Sequence, residues 1–264
     1  MKGKYPALSI ILFCLLACDN PEAPPFKEEA SVFAVLFANL ESQQVFVYRA
    51  HEDVADSLRN EDLFIPDAIV RIADSEREVN FTCRYDSSYR RLKYTNTVEK
   101  LRVRPGERYR LTVKTEIGMM TGTTTVPSSI CFLAPPEGGC IRHHSEVEVR
   151  WHATENAYGY TINLLGPPWN NGFSGAYAGT GRDISTFSTT DTMLVLPDKY
   201  ITYEEKPKFG WYLEVERRYT VKIMALDRNF KHHLFDGYEV AGVHGGYGLF
   251  GSAVVDSLDF YVVK

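Results

Sequence analysis

Three groups of residues in this sequence could carry chemistry. In "GGYGLFGS", Gly245 to Ser252, the residues Gly246, Gly248 and Gly251 spell G-x-G-x-x-G. That spacing holds a dinucleotide when a strand leads in and a helix leads out, with the helix N-terminus on the pyrophosphate and a carboxylate about 20 residues on for the ribose. The chain instead continues as "SAVVDSLDFYVVK" from Ser252, too little length before Lys264 for a helix, a second strand and that acid. Two histidine pairs, His143-His144 and His232-His233, could ligate a metal. Neighbours on a strand point to opposite faces, so neither pair can hold one ion unless it lies in a loop. The carboxylates are scattered and form no Asp-x-Asp-x-Asp-Gly calcium loop, and G-x-S-x-G, H-E-x-x-H and phosphate-loop motifs are missing from the sequence. No catalytic residue, metal site or cofactor is therefore assigned, although a site assembled from distant loops stays open.

The elements that must position any site read as strands. In "ERYRLTVKTE" Tyr109, Leu111 and Val113 alternate with Arg108, Arg110, Thr112 and Lys114, and in "SEVEVRWHA" Val147, Val149 and Trp151 alternate with charged residues and His152. A period of two sends one set to a core and the other to water. Further β-rich runs span 32–38, 45–48, 68–72, 79–83, 122–126, 158–165, 193–196, 219–226 and 260–263, and no segment sustains a helical stripe for three turns. Many short strands with frequent turns predict an all-β chain of two tandem β-sandwiches. The 264 residues suffice for two such domains, and "LAPPEGGC", Leu133 to Cys140, interrupts the pattern between them. The expected units are 31–133 and 134–264.

The N-terminus reads as an export signal, residues 1–17. Lys2 and Lys4 precede an apolar run, Ala7 to Ala17, that is too short to span a bilayer core of roughly 30 Å. Its end, Leu15-Leu16-Ala17-Cys18, resembles the lipobox of bacterial lipoproteins. The resemblance implies cleavage before Cys18 and acylation of its thiol, with two or more chains making the anchor stable. The proline-rich and acidic segment 18–30 then reads as a leash to the membrane. With Cys18 acylated, Cys83, Cys131 and Cys140 remain in an oxidising compartment. Cys131 and Cys140 flank the interdomain turn and are the candidate disulfide, while Cys83, in an apolar strand, reads as a small buried hydrophobe.

Two further resemblances cover the rest. Trp151, Tyr160 and "LEVERRYTVKIMALD" resemble a fibronectin type III domain, with Leu213 ahead of Tyr219 as in that family's tyrosine corner. The first half is similar to the domain-of-unknown-function family 4249 of Bacteroidota-type surface lipoproteins. The matching positions are Ala68 and Val70, the Pro105-Gly106 turn before Tyr109 and Leu111, and the Thr-rich run Thr123 to Pro127. The resemblance implies an immunoglobulin-like or transthyretin-like sandwich, then a fibronectin-like domain, and a closing glycine-rich segment at Gly246 to Gly251. Those glycines are thus expected in a hairpin or bulge leading into the final strand, where glycine supplies positive φ. The resemblance further implies a lipid-anchored place in the cell envelope, at the outer membrane and near nutrient-uptake machinery such as an outer-membrane transporter.

The longest connection, Gly166 to Asp191, is polar and glycine-rich and carries Trp169, Phe173 and Tyr177. These aromatics could stack on a glycan or a partner protein, or tuck onto their own sheet. A net charge of −5 with interspersed signs offers no basic face for a nucleic acid. The expected function is a non-catalytic binding or accessory module of the envelope; the alternatives are an envelope hydrolase with a loop-built site and a structural spacer.

Overall fold

The computed structural model describes residues 28–38, 40–50, 63–96, 100–143, 145–166, 182–196, 213 and 216–264. Seven strands come first: β1 (Glu29–Phe37), β2 (Gln44–Ala50), β3 (Ile69–Ala73), β4 (Glu78–Asp86), β5 (Arg91–Thr95), β6 (Arg108–Lys114) and β7 (Met119–Thr125). Seven more come after them: β8 (Phe132–Ala134), β9 (Gly139–Arg142), β10 (Val147–Trp151), β11 (Gly159–Gly166), β12 (Arg182–Thr189), β13 (Met193–Leu196) and β14 (Arg217–Leu226). A helix, α1 (Arg228–Asp236), leads to β15 (Val240–Ala241), β16 (Val243–His244) and the long β17 (Tyr247–Val263). The described residues are nearly all strands, turns and connections, as the period-two alternation predicts, with α1 the helix that follows β14.

The strands close two sandwiches. In the first, β3, β6, β7 and β16 form one sheet, and β5, β2, β1 and the start of β17 form the other. Strand β4 serves both, pairing through Phe81 with β3 and from Thr82 onward with β5. In the second, β12, β11, β14, the end of β17 and β9 face the sheet β13-β10-β8. The inward residues are those the alternation picks out, among them Leu111, Val113, Val149 and Trp151.

β17 belongs to both bodies. Its first part runs parallel to β1, from Ser31↔Tyr247 to Phe37↔Ala253, and its second part runs antiparallel to β14, from Leu226↔Ala253 to Arg217↔Val262. Ala253 is the crossing point. From Gly248 to Val254 every residue is buried, because both faces of the strand are covered there; beyond Val255 the inside-outside alternation resumes. Within the unit expected over 134–264, the residues from Val243 to His244 and from Tyr247 to Ala253 pair with strands of the first sandwich, β7 and β1. The glycines meet the expectation in part. Gly245, at φ 82°, makes the turn before β17 and Gly248, at φ 110°, also supplies a positive φ while approaching β1 closely, but Gly246 and Gly251 serve close approach alone. A Cβ on Gly248 would fall 2.0 Å from the Val32 carbonyl oxygen, and one on Gly251 would fall 2.9 Å from Phe230 Cβ on α1.

Tyrosine hydroxyls pin the connections. Tyr109 accepts from the Arg104 amide at 2.9 Å, with its hydroxyl 3.2 Å from the Arg102 carbonyl, and this is a tyrosine corner in the first sandwich. Tyr94 accepts from the Ala68 amide and donates to the Ile65 carbonyl, both at 2.7 Å. Tyr219, expected at the corner of the second sandwich, is buried and stacked on Phe260 with ring centroids 5.7 Å apart.

Candidate functional site

Cys18, Trp169, Phe173 and Tyr177 lie outside the described residues. The proposed bridge is not formed: Cys131 and Cys140 are free and exposed. The turn between them crosses from one sheet of the second sandwich to the other. Cys131 leads into β8, which pairs with β10, whereas Cys140 lies on β9 opposite Tyr261 of β17. The thiol of half-buried Cys83 is pushed up by desolvation and packs against the core. His232 and His233 sit on α1, where His233 Nδ1 is 2.9 Å from the Tyr238 carbonyl and its ring meets Phe33 edge-on. Among the described residues no group of three metal-ligating side chains converges.

What the fold does bring together lies at the seam of the two sandwiches. Asp227 follows β14 directly and caps α1, accepting from the Phe230 amide at 2.9 Å. The same carboxylate accepts from the Ser252 amide of β17 at 3.0 Å and the Thr124 hydroxyl of β7 at 2.6 Å. Since Thr124 spends its proton on Asp227, the Ser252 hydroxyl, 2.7 Å away, must donate to Thr124. Asn229 adds bonds from its amide to the Thr123 and Phe250 carbonyls, at 2.8 and 2.9 Å. Burial holds the Asp227 carboxyl above the usual carboxylate range, and its donors oppose that shift without cancelling it. Ser252 is fully buried, and its hydroxyl is used within this network, which joins β7, α1 and β17.

Above the joint, two open hollows of about 410 Å³ and about 190 Å³ meet at Arg108 and Thr123. Arg110 and Ser75 line the larger; Thr125, Asn156, Tyr158 and Arg228 line the smaller. The strand pairing sets the pattern: Arg108 stands opposite Thr125 and Arg110 opposite Thr123, all on the outer face of the sheet. Tyr158 is 52% exposed, while its amide is fixed to the Leu226 carbonyl at 2.9 Å. Asn156 takes the left-handed conformation, φ 62°, in the turn that carries Tyr158, a conformation asparagine tolerates. The sequence shows the Arg-Thr alternation, but nothing in it brings Tyr158 to the same place, because that contact depends on β17 being shared. A third hollow of about 480 Å³, beside α1, is largely apolar and lined among others by Phe33, Phe37, Phe46, Phe230 and Leu234.

No protein-family model matches this chain, and no curated protein matches it. Solved structures with similarity include titin domains I67–I69, 14% identical over 91% of this chain and 66% of that one, TM-score 0.25. The mouse nectin-like molecule 4 ectodomain is 11% identical over 90% and 65%, TM-score 0.21. Escherichia coli alpha-2-macroglobulin is 11% identical over 89% of this chain and 20% of that one, TM-score 0.26. The chain spans just under two thirds of the titin and nectin-like fragments. At these values the neighbours carry no weight for activity, and the fold stands on the strand pairing itself. No described helix is long and apolar enough to cross a membrane.

Proposed function

We propose that this protein is an exported, non-catalytic binding or accessory module, tethered to the cell envelope through a lipid on Cys18 and working beside uptake machinery of the outer membrane. The observation that supports the binding role is the seam. Two sandwiches share β17, and side chains from both halves line one open hollow, Arg108, Thr123 and Thr125 from the first and Asn156 and Tyr158 from the second. A concave site with a few convergent polar groups at a domain junction is where ligands bind by preference. Anchoring rests on the Leu15-Leu16-Ala17-Cys18 sequence.

Two measurements test this reading. Labelled palmitate should enter the wild type and not Cys18→Ala, and the variant should move from the membrane to the soluble fraction; equal partitioning sinks the anchor. For the module, a broad panel of neutral and acidic polysaccharides and envelope proteins is titrated onto the purified full chain in detergent. A true ligand raises the melting temperature by mass action. No shift with any member overturns the binding role, and release of cleaved product would favour the envelope hydrolase instead.

A further inference from the structure

We infer that the joined hollows at the seam take an anionic sugar, a pyranose carrying a carboxylate or a sulfate within a polysaccharide. The inference rests on the binding-module reading and gives that module a ligand class.

The first argument is charge. The chain is acidic overall, at −5, and many of its arginines are engaged: Arg49 with Glu28 and Glu116, Arg71 with Glu78, Arg104 with Glu107, Arg218 with Asp259. Arg108 and Arg110 differ. They project from one face of β6, are exposed, and form no ion pair among the described residues; Arg228, exposed and equally without an ion pair among them, lines the smaller hollow from the first turn of α1. Two carboxylates share the larger hollow, Asp74 and Glu107. Asp74 accepts from the amides of Glu76 and Arg77, Glu107 pairs with Arg104, and Asp227, in the wall of the smaller hollow, is buried in its joint, so Arg108, Arg110 and Arg228 leave an excess of positive charge over the unpaired Asp74. Unpaired guanidinium forks match planar carboxylates and sulfates bidentately.

The second argument is the rest of the lining. Thr123, Thr125 and Ser75 offer hydroxyls and Asn156 an amide, which can both donate to and accept from sugar hydroxyls. Tyr158 offers a half-exposed flat ring against which the C–H face of a pyranose can pack. An acidic peptide would want an apolar pocket for an anchor side chain. The apolar hollow beside α1 shares no residue with the seam. The site is also held still: Arg108 and Arg110 ride on a paired strand beside the Tyr109 corner, and Tyr158 is fixed by its amide.

The test uses the full chain in detergent at 0.15 M salt, with polygalacturonate for carboxylate, heparin for sulfate and dextran as the neutral control, read by calorimetry. At least one acidic polymer should bind and dextran should not. The double variant Arg108→Ala, Arg110→Ala should weaken that binding at least tenfold with an unchanged melting temperature, and Tyr158→Ala several-fold. Should the double variant prove unstable, Arg108→Lys with Arg110→Lys keeps the charge, loses the fork, and should still weaken binding several-fold. Acidic polymer bound equally by wild type and variants overturns the inference, as does its failure to bind. Binding of dextran in a Tyr158-dependent way overturns the anionic class yet leaves the binding module standing; silence across this panel and the broader one overturns both.

Discussion

Asp227 shows how one side chain can hold several elements. Its carboxylate serves donors on β7, α1 and β17, so Asp227→Ala leaves the Thr124 hydroxyl, the buried Ser252 amide and the part-buried Phe230 amide without this acceptor. That loss should cost about 2 to 4 kcal/mol in denaturant unfolding, since a charged acceptor and more than one donor are involved. The pH dependence has a definite sign. Burial raises the folded carboxyl, so its stabilising contribution is fully present below the unfolded pKa of about 4 and falls as pH rises through the folded value. Asp227→Asn should remove that slope, and comparing unfolding of the two proteins between pH 3 and 7 checks it. Tyr109 behaves alike at the alkaline end. Burial first, and Glu107 after it, push the hydroxyl up to about 12 against an opposing bond from the Arg104 amide. Its contribution is complete below pH 10 and is lost between about 10 and 12, and Tyr109→Phe should flatten that part of the stability curve.

At the scale of elements, the strands were readable because alternation records which face is buried. The runs around Tyr109 and Val149 appear in the structure with the inward residues the alternation names. The helix α1 was not readable by the same rule, since it spans nine residues and buries none fully. Its signal lies at its ends instead: Asp227 as N-cap and Gly237 at φ 71° as C-cap bracket a stretch with Phe230 and Leu234 one turn apart. The glycine-rich motif was readable in part: Gly245 and Gly248 supply the expected positive φ, whereas Gly246 and Gly251 are there for closeness, which the spacing does not show. Gly251→Ala would drive a methyl into Phe230 and Asp227 Oδ1 and lift α1 from β17. The expected cost is about 1 to 3 kcal/mol, an overpacking penalty. Gly248→Ala, at φ 110° and against the Val32 carbonyl, should cost more, and thermal melts of the two variants test the order.

For the whole molecule, the seam was invisible in the sequence because two halves of similar pattern gave no sign that one strand runs through both. Sharing β17 ties the sandwiches mechanically as well as by packing, so they should unfold as one unit. Calorimetry should give a single transition whose van't Hoff and measured enthalpies agree; two resolved transitions would refute this coupling. The pairing of β1 with β17 has one more consequence, which concerns time. The strand β1, beginning at Glu29, is made early, whereas its parallel neighbour, Tyr247 to Ala253, lies more than 200 residues further along the chain. The first sandwich cannot seal its second sheet while the polypeptide is still arriving, and contacts so distant in sequence form slowly. A nascent chain halted after Thr125 should therefore remain protease-sensitive, because β1 has no parallel neighbour until β17 has been made.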